Sequence, residues 1–207
     1  GGPAVMLTDS LSNGGMEIPH LEGPKAQALL EKLLIALALQ VGSEVSYNEL
    51  AQTIGADSKT VEKYIDLLEK CYIVFRLNAF NRNLRSELKK SKKVYFYDNG
   101  IRNAVIQNFA PLALRNDIGA LWENFFISER IKANEYAGRY VKNYFWRTTD
   151  QQEIDYIEES DGEFTAFEMK WNPRRQTVAL PAIFQKTYQV KQTAVVTPDN
   201  YIEWLGD

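Results

Sequence analysis

The stretch EIDYIEESDGEFTAFEMKW, residues 153–171, contains two short runs with a period of two on either side of Asp161-Gly162. A period of two is typical of a β-strand. Asp-Gly between two such runs favours a tight hairpin turn. The sequence therefore predicts a β-hairpin whose strands cover residues 153–159 and 164–171.

Alternation along each strand predicts which side chains share a face. Glu153 and Asp155 fall on one face of the first strand, and Ile154 and Tyr156 fall on the other. We therefore expect the first strand to present its acids together, on the face opposite its apolar side chains.

The second strand places Glu168 and Lys170 on one face, so strand pairing is expected to bring Asp155 beside them. Two neighbouring carboxylates repel each other unless a cation joins them, and hard oxygen ligands suit Mg²⁺ or Mn²⁺. A nearby lysine can orient a water molecule or stabilise charge on a phosphate. These residue types favour metal-dependent hydrolysis of a phosphodiester.

The elements around this hairpin predict a mixed sheet flanked by helices. A helix with an aromatic arc begins near residue 116 and runs to about 136, followed by a strand at 140–148. After the hairpin come a helix at about 180–190 and a strand at 193–197. Glu123 lies at the edge of the aromatic arc, where a carboxylate turned half toward a core needs a partner such as a metal-bound water.

The N-terminal half has the element order of a winged helix. A helical pattern at 24–42 is followed by a capping box at Ser46-Tyr47-Asn48-Glu49 and by a third helix after the turn at Gly55. Two strands, at 72–77 and 93–97, come next. We expect a linker or tail at residues 1–23, a winged helix at 24–99 and a second domain at 100–207.

A local basic surface is expected on the third helix and on the segment between the two strands. Phosphate contacts by such residues would support binding to DNA. The same surface could also dock a protein partner or simply be solvated. The candidate nucleic-acid-binding residues are Lys59, Lys63, Arg82, Arg85, Lys89, Lys90, Lys92 and Lys93.

Composition excludes several other classes of site. The 207 residues carry a net charge of -3, so any attraction to nucleic acid must be local. There is one cysteine and one histidine, which rules out Cys/His zinc sites and disulfides within the chain and favours a cytoplasmic setting. No apolar run is long enough to cross a bilayer, and no P-loop motif is present.

The chain resembles the C-terminal part of a family of prokaryotic AAA-type ATP-binding proteins, whose members carry a winged helix and a domain of unknown function with a restriction-endonuclease-like, PD-(D/E)xK fold. The order Glu123, Asp155, Glu168-x-Lys170 resembles that nuclease superfamily. The stretches that carry the resemblance are VSYNELAQTIGADSKTVEKYIDLLEKCYIVFRL (45–77), KVYFYDNGIRNAVI (93–106), GALWENFFISERIK (119–132), YFWRTTDQQEIDYIEE (144–159) and FEMKW (167–171).

The resemblance implies roles for four residues. Asp155 and Glu168 would be ligands of Mg²⁺ or Mn²⁺, Lys170 would orient water or stabilise the phosphate, and Glu123 would act through a bridging water. It also implies an N-terminal ATPase domain as a partner in the parent protein. Two other interpretations stay open, because nuclease folds are reused without catalysis and because the acids of the hairpin could simply be solvated. The oligomeric state is left open by the sequence.

Overall fold

The computed structural model describes residues 23–82, 91–174 and 179–206. Contacts divide the chain into two compact units. One contains the residues up to Arg76 together with Val94–Pro111, and the other contains Leu77–Lys93 and the residues from Leu112 onward. The predicted linker at 1–23 lies outside the described residues except for Gly23, as do Arg85, Lys89 and Lys90 of the predicted basic surface.

Four helices lie in the described residues of the first unit. They are α1 (Pro24–Leu39), α2 (Tyr47–Ile54), α3 (Ser58–Lys70) and α4 (Asn99–Val105). The predicted capping box is present, because the Ser46 hydroxyl accepts a hydrogen bond from the Glu49 N–H. Leucines with less than 1% exposure on α1, together with Ile65 and Leu68 of α3, form the core.

Six strands form one mixed sheet in the order β2-β1-β3-β4-β5-β6. β1 pairs in parallel with β3 and β5 with β6, whereas the pairs β3-β4 and β4-β5 are antiparallel. The strands are β1 (Val74–Ala79), β2 (Lys92–Phe96), β3 (Lys142–Arg147), β4 (Glu153–Ser160), β5 (Glu163–Met169) and β6 (Val190–Val196).

Helices cover this sheet within the second unit, which confirms the predicted mixed sheet flanked by helices. They are α5 (Ile118–Tyr136), α6 (Ala182–Thr187) and α7 (Ile202–Leu205), with a 3-10 turn at Leu112–Leu114. Phe184 of α6 packs against Trp146 and Phe164, and Phe126 of α5 packs against Phe167. The α6 helix is shorter than the predicted 180–190 because β6 already begins at Val190.

The β4 strand contains an irregularity that the alternation rule does not anticipate. Tyr144 of β3 pairs with Ile157 of β4, and Trp146 pairs with Ile154, so β4 uses one more residue than β3 over the same distance. This is a β-bulge. Ile154 and Ile157 therefore belong to the same core cluster, whereas Tyr156 packs against Phe167. The prediction that Ile154 and Tyr156 share a face is wrong for this reason.

Candidate metal and phosphate site

The carboxyl groups of Asp155 and Glu168 come together between neighbouring strands β4 and β5. Asp155 Oδ2 accepts a hydrogen bond from the Met169 N–H at 3.2 Å, which fixes the carboxylate against the end of β5. Lys170 follows the last residue of β5, and its Nζ lies 3.2 Å from Glu168 Oε2. The predicted association of Asp155, Glu168 and Lys170 is therefore present in the fold.

The pKa of the Glu168 carboxyl group is changed by this arrangement. Burial and, to a smaller extent, the nearby charge of Asp155 together raise the pKa of Glu168 to about 7, against the opposing effect of Lys170. A hydrogen bond between the two carboxyl groups favours the protonated form of Glu168 in the same direction. Excess negative charge is thus concentrated where a cation would lower the electrostatic energy.

Lys93 occupies a place that sequence reasoning did not assign to it. It was predicted to contact phosphates on an exposed basic surface, but its side chain is only 4% exposed. Its Nζ lies 2.6 Å from Glu153 Oε1 and 3.6 Å from Glu123 Oε1, with the ring of Phe145 centred 5.1 Å away. Lys93 therefore belongs to the acidic site and is not an exposed contact.

The electrostatics of Lys93 agree with its contacts. Burial by itself would lower the pKa of Lys93, but the charges of Glu123, Glu153 and Asp155 raise it above its ordinary value. The ammonium group therefore stays charged inside the protein. It also connects Glu123 to the site, since both α5 and β4 supply carboxylates to the same lysine. One signal in the sequence was the position of Lys93 next to the buried run Val94–Phe96.

The acids do not form a ready metal cage. Among residues 23–82, 91–174 and 179–206, no group of three or more His, Cys, Asp or Glu side chains is arranged to hold a metal ion. Glu123 and Glu153 are turned toward the Lys93 ammonium. The donor set that fits a dication therefore consists of the two carboxylates of Asp155 and Glu168. Two carboxylates, supplemented by water and phosphate oxygens, are a common ligand set for Mg²⁺.

The other predicted basic residues differ in their exposure and in their contacts. Arg82 is 48% exposed and donates to Glu159 Oε1 at 2.8 Å. Lys59 and Lys63 are exposed on α3, and Lys92 is half-buried. Arg147, the last residue of β3, contacts the Gln151 side chain through its guanidinium.

The N-terminus of α3, like that of any helix, favours a negative charge. Asp57 already supplies one, because its carboxylate accepts hydrogen bonds from the Thr60 N–H at 2.8 Å and the Thr60 hydroxyl at 3.0 Å. These hydrogen bonds lower the pKa of Asp57. The N-terminus of α3 is thus occupied by its own cap.

Comparisons with protein families divide the chain into two matches. Residues 15–112 match the family described as domain of unknown function DUF8612, and residues 118–207 match domain of unknown function DUF4143. The two matches adjoin near Leu112, where the second unit resumes, whereas the predicted second domain begins at residue 100. Each family is thus represented by a little under half of the chain.

The chain is similar to curated proteins that are described as uncharacterized. An uncharacterized protein of Mycobacterium tuberculosis is 27% identical over 210 residues, covering 98% of this chain and 44% of the relative. An uncharacterized protein of Methanocaldococcus jannaschii is 32% identical over 106 residues, covering 48% of this chain and 22% of the relative. The chain thus spans less than half the length of these relatives. No solved structure matches it.

None of the helices in the described portions of the chain has the length and apolar character needed to cross a bilayer.

Proposed function

We propose that the second unit carries a divalent-metal-dependent phosphodiester-hydrolysing site of PD-(D/E)xK type, formed by Asp155, Glu168 and Lys170. The observation that carries the proposal is the contact between two carboxyl groups beside a lysine. An arrangement of this kind is electrostatically unfavourable alone and favourable around a dication. Bound Mg²⁺ or Mn²⁺ would supply Lewis-acid stabilisation of the charge on the phosphate.

The protein's own groups have separable tasks in this proposal. Asp155 is held by the Met169 N–H, so one of its oxygens is oriented before any ligand arrives. Lys170, with a side chain 30% exposed, can reach a phosphate oxygen or hold the attacking water while one of its protons points to Glu168. Glu123 acts at a distance through Lys93 and does not contact the substrate.

The first unit is proposed to be a winged-helix module that binds nucleic acid, with DNA as the expected partner. The chain order of three helices followed by β1 and β2 supports the proposal, as do the exposed lysines at the start of α3. The parent protein is proposed to carry an N-terminal AAA-type ATPase domain. Two facts support this: the relatives are more than twice as long as the matched region, and DUF4143 occurs in AAA-ATPase-associated proteins.

A second candidate is a non-catalytic regulatory or interaction module in which the nuclease fold is degenerate. The observation that favours it is the ion pairing already present in the site. Lys93 pairs with both Glu123 and Glu153, and Lys170 is directed at Glu168, so part of the charge is compensated without a metal ion.

Cleavage of supercoiled and single-stranded DNA in Mn²⁺ tests the catalytic proposal. Asp155→Asn and Lys170→Met are expected to reduce the cleavage rate by about 100-fold or more, because each removes a group that stabilises charge in the transition state. Glu163→Gln is the matched control, since Glu163 lies on the same strand and pairs with Lys191 on the surface. Equal rates in all four proteins would indicate a contaminating nuclease. No cleavage by any of them would favour the non-catalytic module.

DNA affinity measured as a function of salt concentration tests the nucleic-acid interface. Replacing both Lys59 and Lys63 with Gln is expected to weaken binding and to lower the salt slope by about two counterions, if each lysine contacts a phosphate. Lys191→Gln, in the second unit, serves as the control for a general change in charge. An unchanged slope in the double variant would remove α3 from the interface.

A further inference from the structure

Lys93 is a buried cation with two carboxylate partners. Lysine is rarely buried unless it is paired, because removing an ammonium group from water is expensive. Here the ring of Phe145 closes one side, while Glu153 at 2.6 Å and Glu123 at 3.6 Å provide the opposite charge. The ammonium group therefore stands where a positive charge is required by two acids from different elements, α5 and β4.

The charged groups of the site add up to a net charge of two negative units when all of them are ionised. Four carboxylates, those of Glu123, Glu153, Asp155 and Glu168, carry four negative charges when all are ionised. The ammonium groups of Lys93 and Lys170 carry two positive charges, which leaves two negative charges, the amount that one dication neutralises. Asp155 links the two halves, because it interacts electrostatically with both Lys93 and Glu168.

We propose that the Lys93 ammonium is the resident cation of Glu123 and Glu153, and that it restricts this site to one dication, held at Asp155 and Glu168. Lys93 is thus a positioning residue. It fills the place of a second metal ion and holds Glu153 away from the first. The location of the dication rests on the proposed function, but the role of Lys93 toward Glu123 and Glu153 rests on its own contacts.

Direct binding of Mn²⁺ tests this proposal without measuring activity. The full chain is stripped with EDTA and titrated with Mn²⁺, and free Mn²⁺ is followed by electron paramagnetic resonance. The unaltered chain is expected to bind about one ion. Lys93→Met is expected to bind about two, because methionine has a similar length but leaves Glu123 and Glu153 to a second cation. Lys191→Met removes an exposed lysine and is expected to bind about one.

Folding provides a second readout. Lys93→Met leaves two partly buried carboxylates without their ammonium, so in EDTA it is expected to melt roughly 10 °C lower than the unaltered chain. Mn²⁺ is expected to restore most of that loss. If Lys93→Met is unfolded in EDTA, refolding on addition of Mn²⁺ with about two bound ions is the expected result. Failure of Mn²⁺ to restore the fold would overturn the proposal.

The stoichiometries separate this inference from the proposed function. Two ions on the unaltered chain, or one ion on both proteins, would overturn the role of Lys93. No ion on the unaltered chain and one on Lys93→Met would retain that role and reject the dication at Asp155 and Glu168. No ion on either protein would reject both. The triple variant Lys93→Met, Glu123→Gln, Glu153→Gln is expected to return to one ion, and two ions on it would also overturn the proposal.

Discussion

Strand β4 carries two acidic groups that differ in how completely they are paired. Glu158, which is 5% exposed, accepts hydrogen bonds at 2.8 and 2.9 Å from Arg130, at 2.7 Å from Asn134 and at 3.1 Å from the Tyr156 hydroxyl. Both oxygens of this carboxylate accept hydrogen bonds from side-chain donors. The cluster around Glu158 is therefore electrostatically closed and can serve the fold without any ligand.

The other group, at Asp155, is electrostatically open. Asp155 faces a second carboxyl group, that of Glu168, whose pKa rises to about 7 through burial and the charge of Asp155. The protein supplies Lys170 and the Met169 N–H, but these do not offset the repulsion. The number of acids on a strand therefore says little about function, whereas an unbalanced pair marks a position where an external cation would be stabilising.

The largest effect on stability is expected from breaking the closed cluster. Glu158→Ala leaves the Arg130 guanidinium, 14% exposed, without its carboxylate partner. Loss of one member of a buried ion pair lowers the free energy of unfolding by about 3–5 kcal/mol. Urea denaturation measures this loss directly.

Glu129→Ala is the matched control for that substitution. Glu129 lies on the same helix as Arg130 and pairs with Lys132 three residues away, with both side chains partly exposed. Such a pair contributes about 0.5 kcal/mol or less. If both substitutions lowered stability equally, the cluster around Glu158 would not be the closed structural element described above.

A smaller effect of opposite sign is expected at Glu168 in the open group, where a substitution should raise the free energy of unfolding in a way that depends on pH. The pKa of Glu168 is raised in the folded protein from an ordinary value of 4.5 to about 7. Its stabilising contribution is therefore complete below about pH 4.5 and is lost as the pH rises through about 7, since ionisation is disfavoured only in the folded state. Glu168→Gln is expected to gain a few kcal/mol over the unaltered chain across that interval.

Denaturation curves between pH 4.5 and 8, in EDTA, measure that gain. Glu163→Gln on the same strand is the control, and its stability is expected to follow that of the unaltered chain, since the Glu163 carboxylate is 41% exposed. A constant difference between Glu168→Gln and the unaltered chain at all pH values would contradict the raised pKa.

The sequence predicted those parts of this comparison that depend on local pattern. The hairpin around Asp161-Gly162, the capping residue Ser46, and the meeting of Asp155 with Glu168 and Lys170 all follow from spacing and turn chemistry. These features require information from only a few neighbouring residues. That is why a single sequence was sufficient to predict them.

Features that depend on tertiary context were not predictable in the same way. The bulge in β4 arises from pairing with β3, so it could not be predicted from residues 153–160 alone. Lys93 stands in a run of basic residues and was assigned to an exposed surface, but its burial is decided by Glu123 and Glu153, which are 30 or more residues away in sequence. The structural role of Glu158 was missed because Arg130 and Asn134, which donate to it at the shortest distances, come from α5.

The smallest expected effect distinguishes the two acidic groups by their response to metal. Mn²⁺ at ten times its dissociation constant is expected to stabilise the unaltered chain by about 1.4 kcal/mol, because only the folded state brings Asp155 and Glu168 together. Asp155→Asn is expected to lose this gain, whereas Glu158→Gln is expected to keep it despite a lower overall stability. Denaturation with Mn²⁺ and with EDTA gives both values. An equal gain in Asp155→Asn would place the ion elsewhere on the chain and would remove the electrostatic distinction between the open and the closed group.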